Sequence, residues 1–368
     1  MTEMSSNRTV FARMPSWLSR AVLLLVIVLV VLPALPHPTL HIPGERRWGE
    51  AGSVKSDMTL YRHIATDMEK GRDYYQAAAV EHRLYGYPTS PAVVFRMPTL
   101  SWILVILRFH LARLAVLGLL YGAIIFLLYR ELLTAKKTLT VRIVVLSVAV
   151  TGLSVAGATD AVFWHEVWAA LLIAVSLLSY RPSRWLPAVL CGFLACLIRE
   201  IAFPYLVVMA GFALCERRWK ELMAWVGAMV AFTAVFARHL SLAGRLFKPG
   251  DIVSDGWLGF GGWDFAIASA KWNVVLHMLP YPLIAFALCV GVIGLVGMRD
   301  GRAQRAAIIV AGYLAAFLAV GRPDNYYWGI LYTPLLPVGW LVGPRALYDL
   351  AGSAFPSMRR LQAGRQPQ

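Results

Sequence analysis

The segment LPAVLCGFLACLIREIAFPYLVVMAGFALC, residues 186–215, is almost entirely apolar except for one charged pair, Arg199-Glu200. A membrane-spanning helix needs about 20 mostly apolar residues, with a range of roughly 17 to 25. This block is therefore too long for one crossing and short for two. Both flanks are basic, with Arg181 and Arg184 before it and Arg217, Arg218 and Lys220 after it. Basic loops stay on the cytoplasmic side, so the number of crossings between them is even. Two short helices are expected, meeting near Arg199-Glu200, with Pro204 marking the break. Each arm of about 15 residues rises only about 22 Å, which sinks the charged turn below the outer membrane surface. That is a costly place for an Arg and a Glu.

Outward from this block the composition agrees. Of 368 residues, 59% are hydrophobic and 15% charged, against roughly 25% charged in ordinary soluble domains. A soluble globular enzyme is excluded, and the fold class expected is an all-α polytopic membrane protein. The excess of 35 Lys and Arg over 20 Asp and Glu, a net charge of +15, then reflects topology and lipid phosphates rather than nucleic acid. The four cysteines, Cys191, Cys196, Cys215 and Cys289, all lie in apolar blocks without the spacing of a zinc site. They read as small core residues.

Ten spans are expected, at about 18–36, 112–129, 142–159, 162–179, 185–198, 201–215, 221–238, 274–298, 304–321 and 328–344. The first follows Arg8, Arg13 and Arg20 and ends in Pro-Ala-Leu-Pro-His-Pro without a small-residue cleavage site, so it reads as an anchor rather than a signal peptide. With residues 1–17 as a cytoplasmic tail, every inside loop is basic: Arg130 to Arg142, Arg181 and Arg184, Arg217 to Lys220, Arg299 to Arg305, and a tail from 348 to 368 that follows Arg345. Both termini are expected in the cytoplasm, and residues 1–13 and the end from Met358 are expected to be disordered.

Two long outer loops follow from this topology. In the first, residues 37–98, Ser56 is placed to cap a helix running to about Lys70 and stopped by Gly71. Asp57, Tyr61, Ile64, Ala65 and Met68 share one face of that helix, so a carboxylate sits at the head of its apolar stripe. The second, residues 239–273, is rich in Gly and Trp and reads as a mobile flap. Ionisable residues near the spans sort to the outer side: Asp57, Asp160, Glu166, Arg199, Glu200, Arg238, Arg322 and Asp324. Such residues mark a functional pocket. Neither G-x-S-x-G nor H-E-x-x-H is present, and His63, His82, His110 and His165 lack metal-ligand spacing and read as ordinary polar-face residues.

The run DMTLYRHIATDMEKGRDYY, residues 57–75, is followed by Gly86-Tyr-Pro and by Arg96-Met-Pro98-Thr-Leu-Ser-Trp102. It resembles the first outer loop of polyprenyl-phosphate-dependent glycosyltransferases with the GT-C fold, in the branch holding the bacterial lipid A aminoarabinose and galacturonate transferases and the protein mannosyltransferases. That loop begins Asp-Glu and continues Y-x-x-I-A-x-x-M-x-x-G-D-W. Glu166 is similar to the family's second acid, Arg199 to a basic residue between two short helices, and Arg322 with Tyr326 to Pro337 to its closing R-Y-x-x-P-x-x-P segment. The family's Glu after the first acid is Met58 here, and the large C-terminal outer domain of some members is not expected in this chain.

The resemblance implies an inverting transfer of sugar from a polyprenyl-phosphate donor to a lipid or cell-envelope glycan, on the outer face of a bacterial inner membrane. It makes Asp57 the catalytic base and gives the donor phosphate to Arg199 and Arg322, whose guanidinium forks suit phosphate. Asp160, Glu166, Glu200 and Asp324 become acceptor-binding or metal-assisting residues, and Tyr61, Arg72, Asp73, Tyr74 and Arg96 line the substrate loop. A divalent cation is left open. Two rivals stand beside this reading. A lipid or polysaccharide flippase should show paired broken helices in two halves of the chain, and only 185–215 is interrupted; a non-catalytic relative kept as an assembly partner would explain Met58.

Overall fold

The computed structural model describes residues 8–35, 57–256 and 259–356. The cap expected at Ser56, the loop from 37 to 56, and the basic tail with Arg359, Arg360 and Arg365 lie outside the described residues. Among the described residues the protein is all-helical, without a β-strand. The α-helices are α1 (Ser16–Val31), α2 (Asp57–Glu69), α3 (Tyr74–Leu84), α4 (Thr99–Ile106), α5 (His110–Thr134), α6 (Leu139–Gly152), α7 (His165–Ser179), α8 (Leu186–Ile198), α9 (Phe203–Cys215), α10 (Trp219–Gly244), α11 (Gly262–Ala270), α12 (Val274–His277), α13 (Tyr281–Gly297), α14 (Gly301–Ala319) and α15 (Pro337–Ala354).

Four helical segments are long and apolar enough to cross a membrane: Ser16–Ala34, His110–Thr134, Trp219–Gly244 and Gly301–Ala319. This is a membrane protein by that criterion, but the expected count of ten spans is not supported. Five of the ten fall on apolar helices of 10–17 residues: Leu139–Gly152, His165–Ser179, Leu186–Ile198, Glu200–Cys215 and Tyr281–Gly297. At 1.5 Å per residue these reach about 25 Å or less, short of a hydrocarbon core of about 30 Å. Apolar composition ran on through local breaks: 3-10 turns at Ser154–Gly157 and Thr159–Phe163, and Pro280 between α12 and α13. The tenth span, 328–344, is divided between a 3-10 turn at Pro323–Leu331 and the start of α15.

The chain forms two compact units. The terminal unit comprises residues 1–41, 136–154 and 259–368, and the central unit residues 42–135 and 155–258. In the terminal unit α13 and α15 touch backbone to backbone. A Cβ built on Gly294 would lie 1.8 Å from the Gly339 carbonyl oxygen, and one on Gly339 would lie 2.0 Å from that of Gly291. Only glycine allows this approach, the usual small-residue route to tight helix contact in membranes. Residues 8–15, before α1, pack onto the same helices and are not a loose tail, whereas residues 1–7 lie outside the described residues. Phe11 is buried with Ile293, Ala346 and Leu350, and buried Asp349 accepts hydrogen bonds from Thr9 N at 2.9 Å and Thr9 Oγ1 at 3.0 Å. The C-terminal tail correspondingly starts later than residue 348, because α15 keeps Asp349, Leu350, Ser353 and Ala354 buried.

The expected flap between 239 and 273 is also corrected. Its second part forms α11, in which Phe265 to Ala270 are all buried. Ala266, Ala268, Ser269 and Ala270 are small, and Gly329 lets neighbouring backbone close on the helix: a Cβ there would stand 1.8 Å from the Ser269 carbonyl oxygen. Glycine and tryptophan content suggested mobility here, whereas the alanines determine the packing.

The central unit is built on α7, buried almost continuously from His165 to Leu177. Ser176 Oγ donates to the Ala188 carbonyl at 2.6 Å and bonds the Tyr205 hydroxyl at 2.6 Å, which ties α7 to α8 and α9. At the start of α10, buried Glu221 accepts from Tyr180 at 3.2 Å, Trp225 at 3.2 Å and Arg218 at 3.1 Å. Leu60 and Ile64 of α2 pack on Tyr74 and Ala77 to Ala79 of α3, with Phe95 and Ala243, while Tyr61 and Met68 border that cluster. The expected α2 face is thus the buried one. Gly71 ends the helix with φ 91°, a left-handed conformation that glycine adopts freely.

Candidate functional site

Four separated stretches of the central unit converge in one cluster of ionisable side chains. Asp57 stands at the head of α2, and Glu166 in the first turn of α7, where the helix dipole favours a carboxylate. α8 ends at Ile198, and Arg199 leaves the helical conformation at φ −142°, ψ 110°. Glu200 opens the 3-10 turn that leads into α9, where Pro204 occupies the first turn and its missing N–H is harmless. The break expected at Arg199-Glu200 is therefore present. Arg96 comes from the irregular residues before α4.

Arg199 is only 1% exposed and Glu166 4%. Arg199 Nε donates to Glu166 Oε1 at 2.5 Å, and its Nη1 donates to Glu200 Oε1. Arg96 Nη1 stands 3.7 Å from that Glu200 oxygen, and Arg96 Nε donates to the Tyr61 hydroxyl at 3.0 Å. The Tyr74 hydroxyl donates to the Arg96 carbonyl oxygen at 2.5 Å, fixing the backbone that carries the guanidinium. Buried ions persist when paired in this way.

Asp57 joins the cluster through Tyr87, which hydrogen-bonds its carboxyl, and through the charges of Arg96, Glu166 and Arg199. Burial is the largest influence and pushes the Asp57 carboxyl above the ordinary carboxylate range; Glu166 pushes the same way, while Arg96, Tyr87 and Arg199 oppose. The result is a carboxylate that binds a proton more readily than usual, the property wanted in a general base. His165 completes the group, its ring edge-on to Tyr61 with centroids 4.6 Å apart.

Other residues singled out in the sequence lie elsewhere. Arg72 pairs with Asp67, and Asp73 caps α3 by accepting from Tyr75 N at 2.9 Å and Gln76 N at 3.4 Å. Asp160 accepts from Arg62 Nη2 at 2.6 Å, and that guanidinium lies 5.0 Å above the Phe163 ring. Arg322 and Asp324 belong to the terminal unit, where Arg322 Nε stands 3.2 Å from Asp324 Oδ1. His82 is buried against Phe95 with Nδ1 2.8 Å from the Pro88 carbonyl, and burial lowers its pKa to about 4, so it is a neutral packing residue.

Sequence reading missed Tyr87 and His165. Tyr87 lies within the Gly86-Tyr-Pro motif, which was the available signal. His165 adjoins Glu166, but only folding shows that it faces Tyr61.

Among the described residues no group of three or more His, Cys, Asp or Glu side chains is arranged to hold a metal ion. The carboxylates do not fit a divalent cation either, because Glu166 and Glu200 both close on Arg199. Phosphate approaching Arg199 must likewise compete with two carboxylates. Compared with known protein families, curated proteins and solved structures, the chain finds no match. Its function is therefore read from the cluster and from its own motifs.

Proposed function

We propose that the protein is a membrane glycosyltransferase that moves a sugar from a polyprenyl-phosphate carrier to a lipid or cell-envelope glycan. The observation that carries this reading is the convergence of Asp57, Arg96, Glu166, Arg199 and Glu200, five residues of the loop and span motifs, on one buried cluster. In the proposed reaction Asp57 takes the proton of the acceptor hydroxyl as its oxygen attacks the anomeric carbon. The bond from that carbon to the phosphate oxygen breaks with inversion, and the phosphate departs with the electron pair. Arg199 is proposed to offset its charge. The basic loops are proposed to face the cytoplasm and the Asp57 loop the outer side of a bacterial inner membrane.

The test is transfer from a radiolabelled polyprenyl-phosphate sugar by the purified full chain. Asp57→Asn keeps the shape and removes the base, so transfer should fall by a factor on the order of 10² or more. Melting temperature should hold or rise, because the Asn variant removes a buried charge. The acid limb of kcat/KM in the wild type should lie above the ordinary Asp value of about 3.9. Near-normal transfer by the Asn variant removes Asp57 from the mechanism. A second reading, a non-catalytic assembly partner, is favoured by Met58 and by the engagement of Arg199 with two carboxylates; absence of transfer from any such donor by the wild type would select it.

A further inference from the structure

α2 and α3 pack as a helical hairpin, and one flank of it gathers His63, Asp67, Glu81 and Tyr85. His63 and Asp67 stand one turn apart on α2, opposite Glu81 and Tyr85, one turn apart at the end of α3. The Tyr85 hydroxyl lies 3.0 Å from His63 Nδ1, and that nitrogen lies 3.7 Å from Glu81 Oε2, too far for a hydrogen bond. Asp67 draws Arg72 and, at 3.4 Å, Lys70 Nζ. Glu81 is 5% exposed, and its Oε2 is buried without a hydrogen-bond donor among the described residues.

The Glu81 carboxyl lies within hydrogen-bond reach of the Asp67 carboxyl. Two ionised carboxylates only accept, so they repel at that separation, whereas a proton between them turns one into a donor. Burial favours that proton: it pushes the Glu81 carboxyl above the ordinary range, Asp67 pushes the same way, and His63 and Arg72 oppose. These charged groups come from α2 and the turn after it. On the other faces of α3 the neighbours are apolar, with Ala243 of α10 and Ala92 and Val94 of the turn before α4. The residues beside Glu81 are engaged elsewhere, His82 with the Pro88 carbonyl and Arg83 with Asp251.

We propose that Asp67 and Glu81 share one proton, and that this proton fastens α2 to α3 as a pH-sensitive latch. The inference stands apart from the glycosyl-transfer reading and needs only the hairpin. Its consequence reaches the Arg199 cluster, because Asp57 heads α2 and Tyr61 of the same helix accepts from Arg96. Since the folded value of Glu81 is raised, the stabilisation is full below the unfolded value of about 4.3 and is lost as pH rises through the folded value. Above it, two like charges face one another across the hairpin and α2 loosens.

The experiment measures hydrogen–deuterium exchange of the α2 backbone amides in the full chain, in detergent, between about pH 5 and about pH 8, with the chemical exchange rate at each pH divided out. In the wild type, protection should fall about tenfold as pH rises across this range, roughly the worth of one hydrogen bond. Glu81→Gln and Asp67→Asn are close in shape and each supplies an amide N–H in place of the shared proton, so their protection should not change with pH. His63→Gln leaves the carboxyl pair intact and should keep the wild-type profile. A wild type whose protection is independent of pH overturns the proposal, as does a profile that survives in Glu81→Gln or Asp67→Asn. Loss of the profile in His63→Gln overturns it too, and assigns the contact to an ion pair between His63 and Glu81.

Discussion

The cluster around Arg199 and the contact between α13 and α15 bring helices together by opposite means. In the central unit, buried Arg199 joins the head of α7 to the turn before α9 through Glu166 and Glu200. In the terminal unit no charge is needed at the closest approach, because Gly291, Gly294 and Gly339 let two backbones meet. The difference separates what is kept for stability alone from what is kept despite its cost. Glycine contacts gain dispersion and lose little solvation. Buried ion clusters often do no better than an apolar replacement, so the Arg199 contact carries charges that packing alone does not require. That asymmetry directs the functional reading to the Arg199 cluster.

The contrast is most easily broken at Arg199. Arg199→Ala leaves Glu166 and Glu200 buried without their guanidinium, and should destabilise the protein by about 3–5 kcal/mol. Denaturation of the detergent-solubilised chain measures this; a loss under about 1 kcal/mol would mean that water reaches the carboxylates and that the cluster is not a dry ion site. Gly294→Ala tests the other side. Its new methyl falls on the Gly339 carbonyl, so α13 and α15 must part, and about 1–3 kcal/mol should be lost. Unchanged stability would show that the two helices are free to separate.

A smaller effect is expected where the central unit uses an ion pair near its surface. Arg83 donates to both oxygens of Asp251 at 2.7 Å, and Thr89 Oγ1 adds a third bond at 2.8 Å. The Arg83 contact holds the Asp251 carboxyl well below the ordinary range. Because the folded value is depressed, the stabilisation is fully present above the unfolded value of about 3.9 and is lost only as pH falls through the lower folded value. The melting temperatures of wild type and Asp251→Asn should therefore differ at neutral pH and approach one another only below about pH 4. A gap that is independent of pH would assign the contact to packing. Least of all is expected from the half-exposed pair of Arg322 and Asp324: Arg322→Ala should change stability by no more than about 0.5 kcal/mol. A large loss of stability would instead place Arg322 in the packing.

Several of these features were legible in the sequence for identifiable reasons. Asp57 and Ile64 share a face because the helix period imposes it, and Ile64 is indeed buried. The interruption at Arg199 was visible because two charges in a long apolar block cannot continue it cheaply. The span count was not legible in the same way. Hydropathy registers apolar side chains but not the 3-10 turns at Ser154–Gly157 and Thr159–Phe163, which leave α6 and α7 short. Likewise, Asp160 and Glu166 were equivalent as outer-face acids. Folding turns one toward Arg62 at the surface and buries the other against Arg199.

The sequence by itself determined that this is a helical membrane protein, that its longest apolar block breaks at Arg199-Glu200, and that Asp57 heads a helix face shared with Ile64 and Ala65. These are consequences of local period, composition and the cost of charge in an apolar medium, all of which act along the chain. Only the tertiary structure decided that Arg96 shares Glu200 with Arg199, that Tyr87 holds Asp57, that α11 is packed rather than mobile, and that His165 faces Tyr61. Each joins residues separated along the chain, and such pairings are selected by the packing of whole helices against one another, which no local pattern of residues encodes.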